Sequence, residues 1–279
     1  MARIVKDGEI AGYSDDKGNR IIGVPAFADR FEVSFAGSNN ELHIGQRANL
    51  TNTRILFDSS NSKVSIGDHS IYRGVIRASH GGCVHIGKRL VVTLNCYISA
   101  FEGQTVTIGD DCMFATNNEI RTDDAHPIFD RRTGARLNKS KSVTIGNHVW
   151  LAAQTAVWKG ADIGDGCMIG RNSFVNSAIP PHCLAAGTPA SVIREEIVWD
   201  RTHLGMTAPY AYAHSSELPK PVWGDAPSTT AEEPPPVGKP SNVLFGWIRR
   251  YRTAAAMAAL IAAYLLADEV MAIAEIMYP

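Results

Sequence analysis

An excess of charge of one sign is missing from this chain: 27 Lys and Arg face 28 Asp and Glu over 279 residues, a formal net charge of −1. A generic nucleic-acid binder carries a clear basic excess, so no nucleic-acid partner is expected. Cysteine is sparse, and its five copies (Cys83, Cys96, Cys112, Cys167, Cys183) form no CxxC pair. Most sit beside aliphatic residues and read as buried thiols of a reducing compartment. No GxSxG elbow is present, which leaves a serine nucleophile without support. The N-terminal MARIVKDGEIAGYSDD lacks the apolar stretch of a secretory signal, so a cytoplasmic protein is expected. Nor does any apolar run reach the roughly 20 residues that span a bilayer. The longest, 253–267, is 15 uncharged Ala/Leu-rich residues, and Asp268, Glu269 and Glu275 interrupt its continuation. With 45% hydrophobic and 20% charged residues the chain is nevertheless globular, not disordered.

What is present is a repeat. Ile-Gly recurs at 44, 66, 86, 108, 145, 163 and 169, at spacings of 22, 20, 22, 37, 18 and 6. From Ile145 the register is continuous: IGNHVW, LAAQTA, VWKGAD, IGDGCM, IGRNSF, VNSAIP. Each hexad opens on an aliphatic residue (Ile145, Leu151, Val157, Ile163, Ile169, Val175), and the fifth position is mostly small (Val149, Thr155, Ala161, Cys167, Ser173). One large aliphatic in six cannot line a helix, whose apolar face recurs every three or four residues. It does line a triangular coil in which three short strands make a turn of about 18 residues, the aliphatics stacking into a column. Gly at the second position, often followed by Asp or Asn, suits sharp corners where φ is positive. Residues 41–180 offer none of the helical segments that a doubly wound sheet needs.

These hexads resemble the hexapeptide-repeat acyltransferases, whose fold is a left-handed parallel β-helix; the likeness runs from about Phe31 to Arg201. It is carried by FAGSNNELHIG (35–45), TIGDDCMFATNNEIRTDDAHPIFDRRTGARLNKSKSVTIGNHVW (107–150) and IPPHCLAAGTPASVIRE (179–195). The middle block is similar to the branch that acetylates capsular polysaccharide and sialic-acid units; the maltose and galactoside enzymes lack its HPIFD…TG…N run. The resemblance implies an acetyl-CoA-dependent O-acetyltransferase, a saccharide acceptor and a homotrimer with sites between neighbouring coils.

Outside the coil, residues 1–30 are expected to cap the first turn, since an open solenoid end exposes strand edges. The 37-residue gap between Ile108 and Ile145 equals two regular turns, or one turn and a loop; RTDDAHPIFDRRTGARLNKSKS has no hexad pattern, so 121–142 is read as a loop. Beyond the coil, which is taken to end at residue 200, 201–240 reads as an extended linker, with seven of the 14 prolines between 219 and 240. Residues 241–279 read as a terminal helix that packs on the trimer or its own copies, or meets a partner or the inner membrane surface through RRYR (249–252).

Acetyl transfer to a hydroxyl requires a base near the alcohol, donors for the oxyanion and a slot for the coenzyme. His126, flanked by Asp123 and Asp124, is the candidate base, since imidazole titrates at about 6.5. On the residues alone, a loop His bonded to backbone is an equal reading. The resemblance places the family's catalytic His here, in a D-x-H pattern with Asp124 as the orienting carboxylate. Trp150, at an outward sixth position, is either a subunit-interface residue or a wall of the site. Asn95 matches an active-site Asn of the sugar acetyltransferases, or is a stacked polar corner. For acetyl-CoA the resemblance implies a groove of small residues, Ala152, Ala153, Gly170 and the turn Gly187, Thr188, Pro189, Ala190. The usual G-N-P-A-K turn has lost its Lys, so Arg171, Arg194 or Lys159 would supply the phosphate contact. The stretch Gly82–Lys88 imitates a phosphate loop but lacks the following Ser or Thr. His43, His80 and His85 have spacing similar to the zinc ligands of the γ-class carbonic anhydrases, but His43 and His85 precede their aliphatics, so no metal is expected. Acetylation of a small free sugar or antibiotic, and a non-catalytic β-helix scaffold, are the competing functions.

Overall fold

The computed structural model describes residues 2–201 and 215–218. The expected linker and terminal helix lie outside the described residues, apart from a single turn at Ser215–Glu217. The rest is a left-handed parallel β-helix. Its first face is an eight-stranded parallel sheet: Arg20–Ile22, Glu41–Ile44, Lys63–Ile66, Cys83–Ile86, Thr105–Ile108, Val143–Ile145, Asp162–Ile163 and Ala178–Ile179. The second face stacks Val91–Leu94, Met113–Thr116, Trp150–Leu151, Met168–Ile169 and Leu184–Gly187. The third stacks Cys96–Ala100, Glu119–Arg121, Ala156–Val157 and Phe174–Val175. In the early coils three long strands, Phe27–Phe35, Asn49–Phe57 and Ile71–Ala78, run through the corner between the second and third faces.

The hexad rule is what the packing uses. The openers Ile145, Leu151, Val157, Ile163, Ile169 and Val175 are all buried, as are the fifth-position residues from Val149 to Ser173. Because strands pair in register (Thr107 on Thr144, Thr144 on Asp162), every inward side chain lands on its counterpart one coil away, and the core is one continuous column. Val106–Ile108 pairs directly with Val143–Ile145, so the long gap is one turn plus an excursion, not two turns. Of the five cysteines, all unpaired, four are buried and Cys83 is half-buried.

The glycine of the Ile-Gly pair has a different reason from the expected one. Gly45, Gly67, Gly87, Gly109, Gly146 and Gly164 do not have positive φ; a Cβ on Gly45 or Gly109 would come within 2.6 Å of the carbonyl carbon of the glycine in the next coil. The requirement is close approach of two backbones. Positive φ falls two residues later, at Arg47, His69, Arg89, Asp111 and His148, with values of 50–60°. The intervening Asp or Asn accepts a backbone N–H from the preceding coil: Gln46 N to Asp68, 2.8 Å; Lys88 N to Asp110, 2.7 Å; Asp110 N to Asn147, 2.8 Å.

The coil also starts before Phe31. Arg20–Ile22 pairs in parallel with Glu41–His43, and Gly23 follows Ile22 as a further Ile-Gly pair, here with the positive φ (+86°) that the six glycines above lack. Ahead of it, Arg3–Lys6 pairs antiparallel with Glu32–Phe35, and Tyr13, Phe35 and Phe57 stack at 5.5 and 5.0 Å between ring centres. At the other end Ala190–Arg194 folds back antiparallel on Leu184–Gly187.

Candidate active site

The excursion leaves the third face after Arg121 and rejoins the first at Val143. Its root is polar and well bonded. Asp123, buried, accepts from Ser99 Oγ (3.0 Å), Arg121 Nη2 (3.1 Å) and the Ala125 amide (2.8 Å). Asp124 accepts from Trp158 Nε1 (2.8 Å), Asn138 Nδ2 (2.8 Å) and Lys159 Nζ. Partial burial works against its charge, but the Lys159, Trp158 and Asn138 bonds outweigh this and hold the carboxyl below its usual range. Ala125 then sits at φ +64°, and His126 follows, exposed. Among the described residues no group bonds to its imidazole; its amide donates to the Asp124 carbonyl (2.7 Å), and its carbonyl accepts from Asn138 Nδ2 (2.8 Å). Asp124, expected to orient the ring, therefore spends its oxygens on Trp158, Lys159 and Asn138. Lys159, expected beside the coenzyme, is committed to Asp124.

The outer part of the loop is a hairpin closed by Leu137 N to Ile128 O (2.8 Å) and Asp130 N to Ala135 O (2.8 Å). Asp130 Oδ1 holds its turn through the Arg132 and Thr133 amides, both at 2.8 Å, and these bonds lower its pKa. Ile128, Phe129 and Leu137 are exposed on it. Arg136 forks onto Glu102 of the neighbouring coil, where Ser140 Oγ also donates (2.7 Å). The Arg136 and Ser140 bonds pull the Glu102 pKa down to about 2. Of the four arginines of this loop, Arg121 is paired with Glu119 (3.2 Å) and Asp123, Arg136 with Glu102, and Arg132 approaches Asp130 (3.8 Å).

The remaining expected site residues lie elsewhere on the same chain. Asn95 is exposed, at φ +53°, in a corner column with Asn117 (φ 59°), Gln154 (φ 62°) and Asn172 (φ 58°), between the second and third faces. Ala152, Ala153, Gly170, Gly187 and Thr188 line that corner, where Thr188 Oγ1 bonds Asn172 O (3.3 Å) and Arg171 bonds Gln154 (3.3 Å); Arg194 is exposed. His126 leaves from the opposite end of the third face, five extended residues or about 17 Å away. Trp150 is on the second face. Part of the cover its indole needs comes from Trp199, tilted against it at 5.8 Å. Trp199 in turn stacks on His148 at 3.7 Å, and Arg201 ties the segment down on Asp111 (3.0 Å) and the Cys112 carbonyl (2.8 Å).

Three residues that hold this region escaped the sequence reading. Trp158 offered a signal, a large outward aromatic before Lys159 in a coil of small residues; Asn138 offered another, as the closing Asn of the HPIFD…TG…N run, and Glu102 offered none. Burial pushes the thiols of Cys96 and Cys112 up to about 12 and that of Cys167 to about 11, so they remain protonated and unsuited to covalent catalysis. His43 and His85 lie two coils apart on the first face with Ser65 between them, and His80 lies at a corner against Phe101. No group of metal-ligating side chains occurs among the described residues, and none of their helices is long and apolar enough to cross a membrane.

A hexad solenoid that throws out one histidine-bearing loop defines an acyltransferase of the hexapeptide class. Residues 142–177 match the bacterial transferase hexapeptide (six repeats) signature. The chain is 31% identical over 192 residues to a polysialic acid O-acetyltransferase of Neisseria meningitidis, covering 68% of this chain and 89% of that one. It is 37% identical over 143 residues to the polysialic acid O-acetyltransferase of Escherichia coli O1:K1, of which the match spans only 45% (50% of this chain). The crystal structure of a polysialic acid O-acetyltransferase superposes with a TM-score of 0.65 at 30% identity, over 68% of this chain and 91% of that one. The chain belongs to the hexapeptide-repeat O-acetyltransferases.

Proposed function

We propose that this protein transfers an acetyl group from acetyl-CoA to a sugar hydroxyl of a capsular polysaccharide, with His126 as general base. The observation that carries the reading is the combination of an imidazole with no hydrogen-bond partner among the described residues and a backbone fixed on both sides by Asp123, Asp124 and Asn138. A base must be free to take a proton and held where the proton is. His126 removes the hydroxyl proton as the sugar oxygen attacks the thioester carbon, and returns it to the departing thiolate. The corner strip of Ala152, Ala153, Gly170, Gly187 and Thr188 offers small side chains to a pantetheine arm, and the exposed Arg171 and Arg194 are the candidates for its phosphates. On one chain this strip and His126 are a full face apart, so the site is completed between adjacent copies of a homotrimer, where Trp150 of the second face also finds a role.

The names of the relatives support polysialic acid as the first acceptor to test. A neutral saccharide is the second reading, favoured by the pairing of three of the four loop arginines with carboxylates of their own chain. Thiol release from acetyl-CoA, measured with polysialic acid and with neutral oligosaccharides, decides between them. His126→Ala should lower acceptor-dependent turnover by about 10²- to 10⁴-fold with coenzyme affinity near normal; turnover that survives the substitution refutes the base assignment.

A further inference from the structure

The loop contains a side chain that does three things at once around His126. Asn138 donates through Nδ2 to Asp124 Oδ2 (2.8 Å) and to the His126 carbonyl (2.8 Å), and through Oδ1 it accepts the Ile128 amide (2.6 Å). These partners bracket the catalytic candidate on both sides in sequence. The bracketing matters because the chain is bent sharply there. The His126 amide closes a three-residue turn on the Asp124 carbonyl, with Ala125 at φ +64°, a conformation that L residues adopt only when their surroundings impose it. Only a side-chain amide offers two donor hydrogens and an acceptor at this length; a carboxylate has no donor. The far side of Asp124 is anchored to the coil by Trp158 and Lys159, so Asn138 transmits the position of the rigid solenoid to the histidine backbone.

We infer that Asn138 is a positioning residue for His126, acting through its two donor bonds to Asp124 and the His126 carbonyl. The inference rests on His126 being the base, and two variants separate its elements. Asn138→Ala removes all three contacts. Asn138→Asp keeps the acceptor for Ile128, so the hairpin still closes, but it removes both donors and sets a second carboxylate against Asp124. If positioning is the role, both variants lose about 10- to 100-fold in kcat while KM for acetyl-CoA stays within about twofold. A merely structural contact through Ile128 would leave Asn138→Asp like the wild type.

A second readout does not depend on activity. In protein labelled at histidine, the His126 ring resonance, identified by its loss in His126→Ala, should shift or broaden in Asn138→Asp, while that of His148 on the coil does not move. Wild-type kcat together with an unmoved His126 resonance in Asn138→Asp overturns the inference. Should His126→Ala retain turnover, the base assignment falls, and the resonance still decides whether Asn138 holds that residue. Should Asn138→Ala fail to fold, Asn138→Asp carries both measurements.

Discussion

The coil from Val143 to Ile179 and the loop from Thr122 to Ser142 are built on opposite principles. In the coil every strand is two or three residues long, and every buried group meets a copy of its own kind one turn away. No single contact there is special, and hydrogen bonds such as Asp110 N to Asn147 and Asn147 N to Asp165 repeat the same geometry. In the loop nothing repeats. Asp130, Asp124 and Asn138, and Glu102 on the coil beside them, each hold a different set of partners once. A repeat supplies rigidity through redundancy, but it cannot supply a unique arrangement of side chains; that requires a departure from the repeat, paid for in single-use polar contacts.

The strongest way to break this contrast is at the glycine of an Ile-Gly pair. In Gly109→Ala the new Cβ meets backbone of the next coil at 2.6 Å, and neither partner can yield without breaking the sheet register. A loss of about 3 kcal/mol is expected by calorimetry, although φ at this residue is ordinary. If positive φ were instead the requirement, Gly109→Ala would be nearly silent.

Acid should distinguish the two regions next. The Glu102 carboxyl titrates at about 2 in the folded protein because Arg136 and Ser140 bind its charged form. Its contribution is fully present above the ordinary carboxylate value of about 4.3 and is lost as pH falls from there toward 2. Asp124 and Asp130 are also lowered and act in the same direction. Protection of the Leu137 amide against exchange, relative to the free-peptide rate at each pH, should therefore fall across this range before that of amides in the coil does. Glu102→Gln should weaken that acid dependence without abolishing it; unchanged dependence would remove Glu102 from the account.

Gly134→Ala is the smaller counterpart of the first substitution. Here φ is +71° and no atom lies within 4 Å of the new Cβ, so only backbone strain opposes it. A cost of about 1 kcal/mol is expected, confined to hairpin amides in exchange measurements.

The same division explains what could be read from sequence. The hexads were legible because burial in a stacked coil constrains a position by period alone, and Ile163 or Val175 declares its place without knowledge of any partner. His126 is singled out as the candidate base only because a family pattern surrounds it. Glu102 was not legible, and Asn138 showed only as the last residue of a family run without a role, since each takes its role from a contact with one distant residue: Glu102 with Arg136, Asn138 with Asp124. The positive-φ error at the Ile-Gly glycine has a related origin, because a close approach between coils leaves no local mark on the chain.

The smallest expected effect concerns the charge of the loop. Arg121, Arg132 and Arg136 face carboxylates of their own chain, whereas exposed Arg131 forms no ion pair among the described residues. Arg131 is therefore the one guanidinium of the loop left uncompensated among the described residues. Arg131→Ala should leave stability within about 0.5 kcal/mol. It should raise KM for polysialic acid by about two- to threefold at low salt, with the difference fading as ionic strength screens the charge. A neutral acceptor should be unaffected. An equal effect on both acceptors, persisting in salt, would mean that Arg131 contacts the sugar ring itself, and the loop would then recognise shape in place of charge.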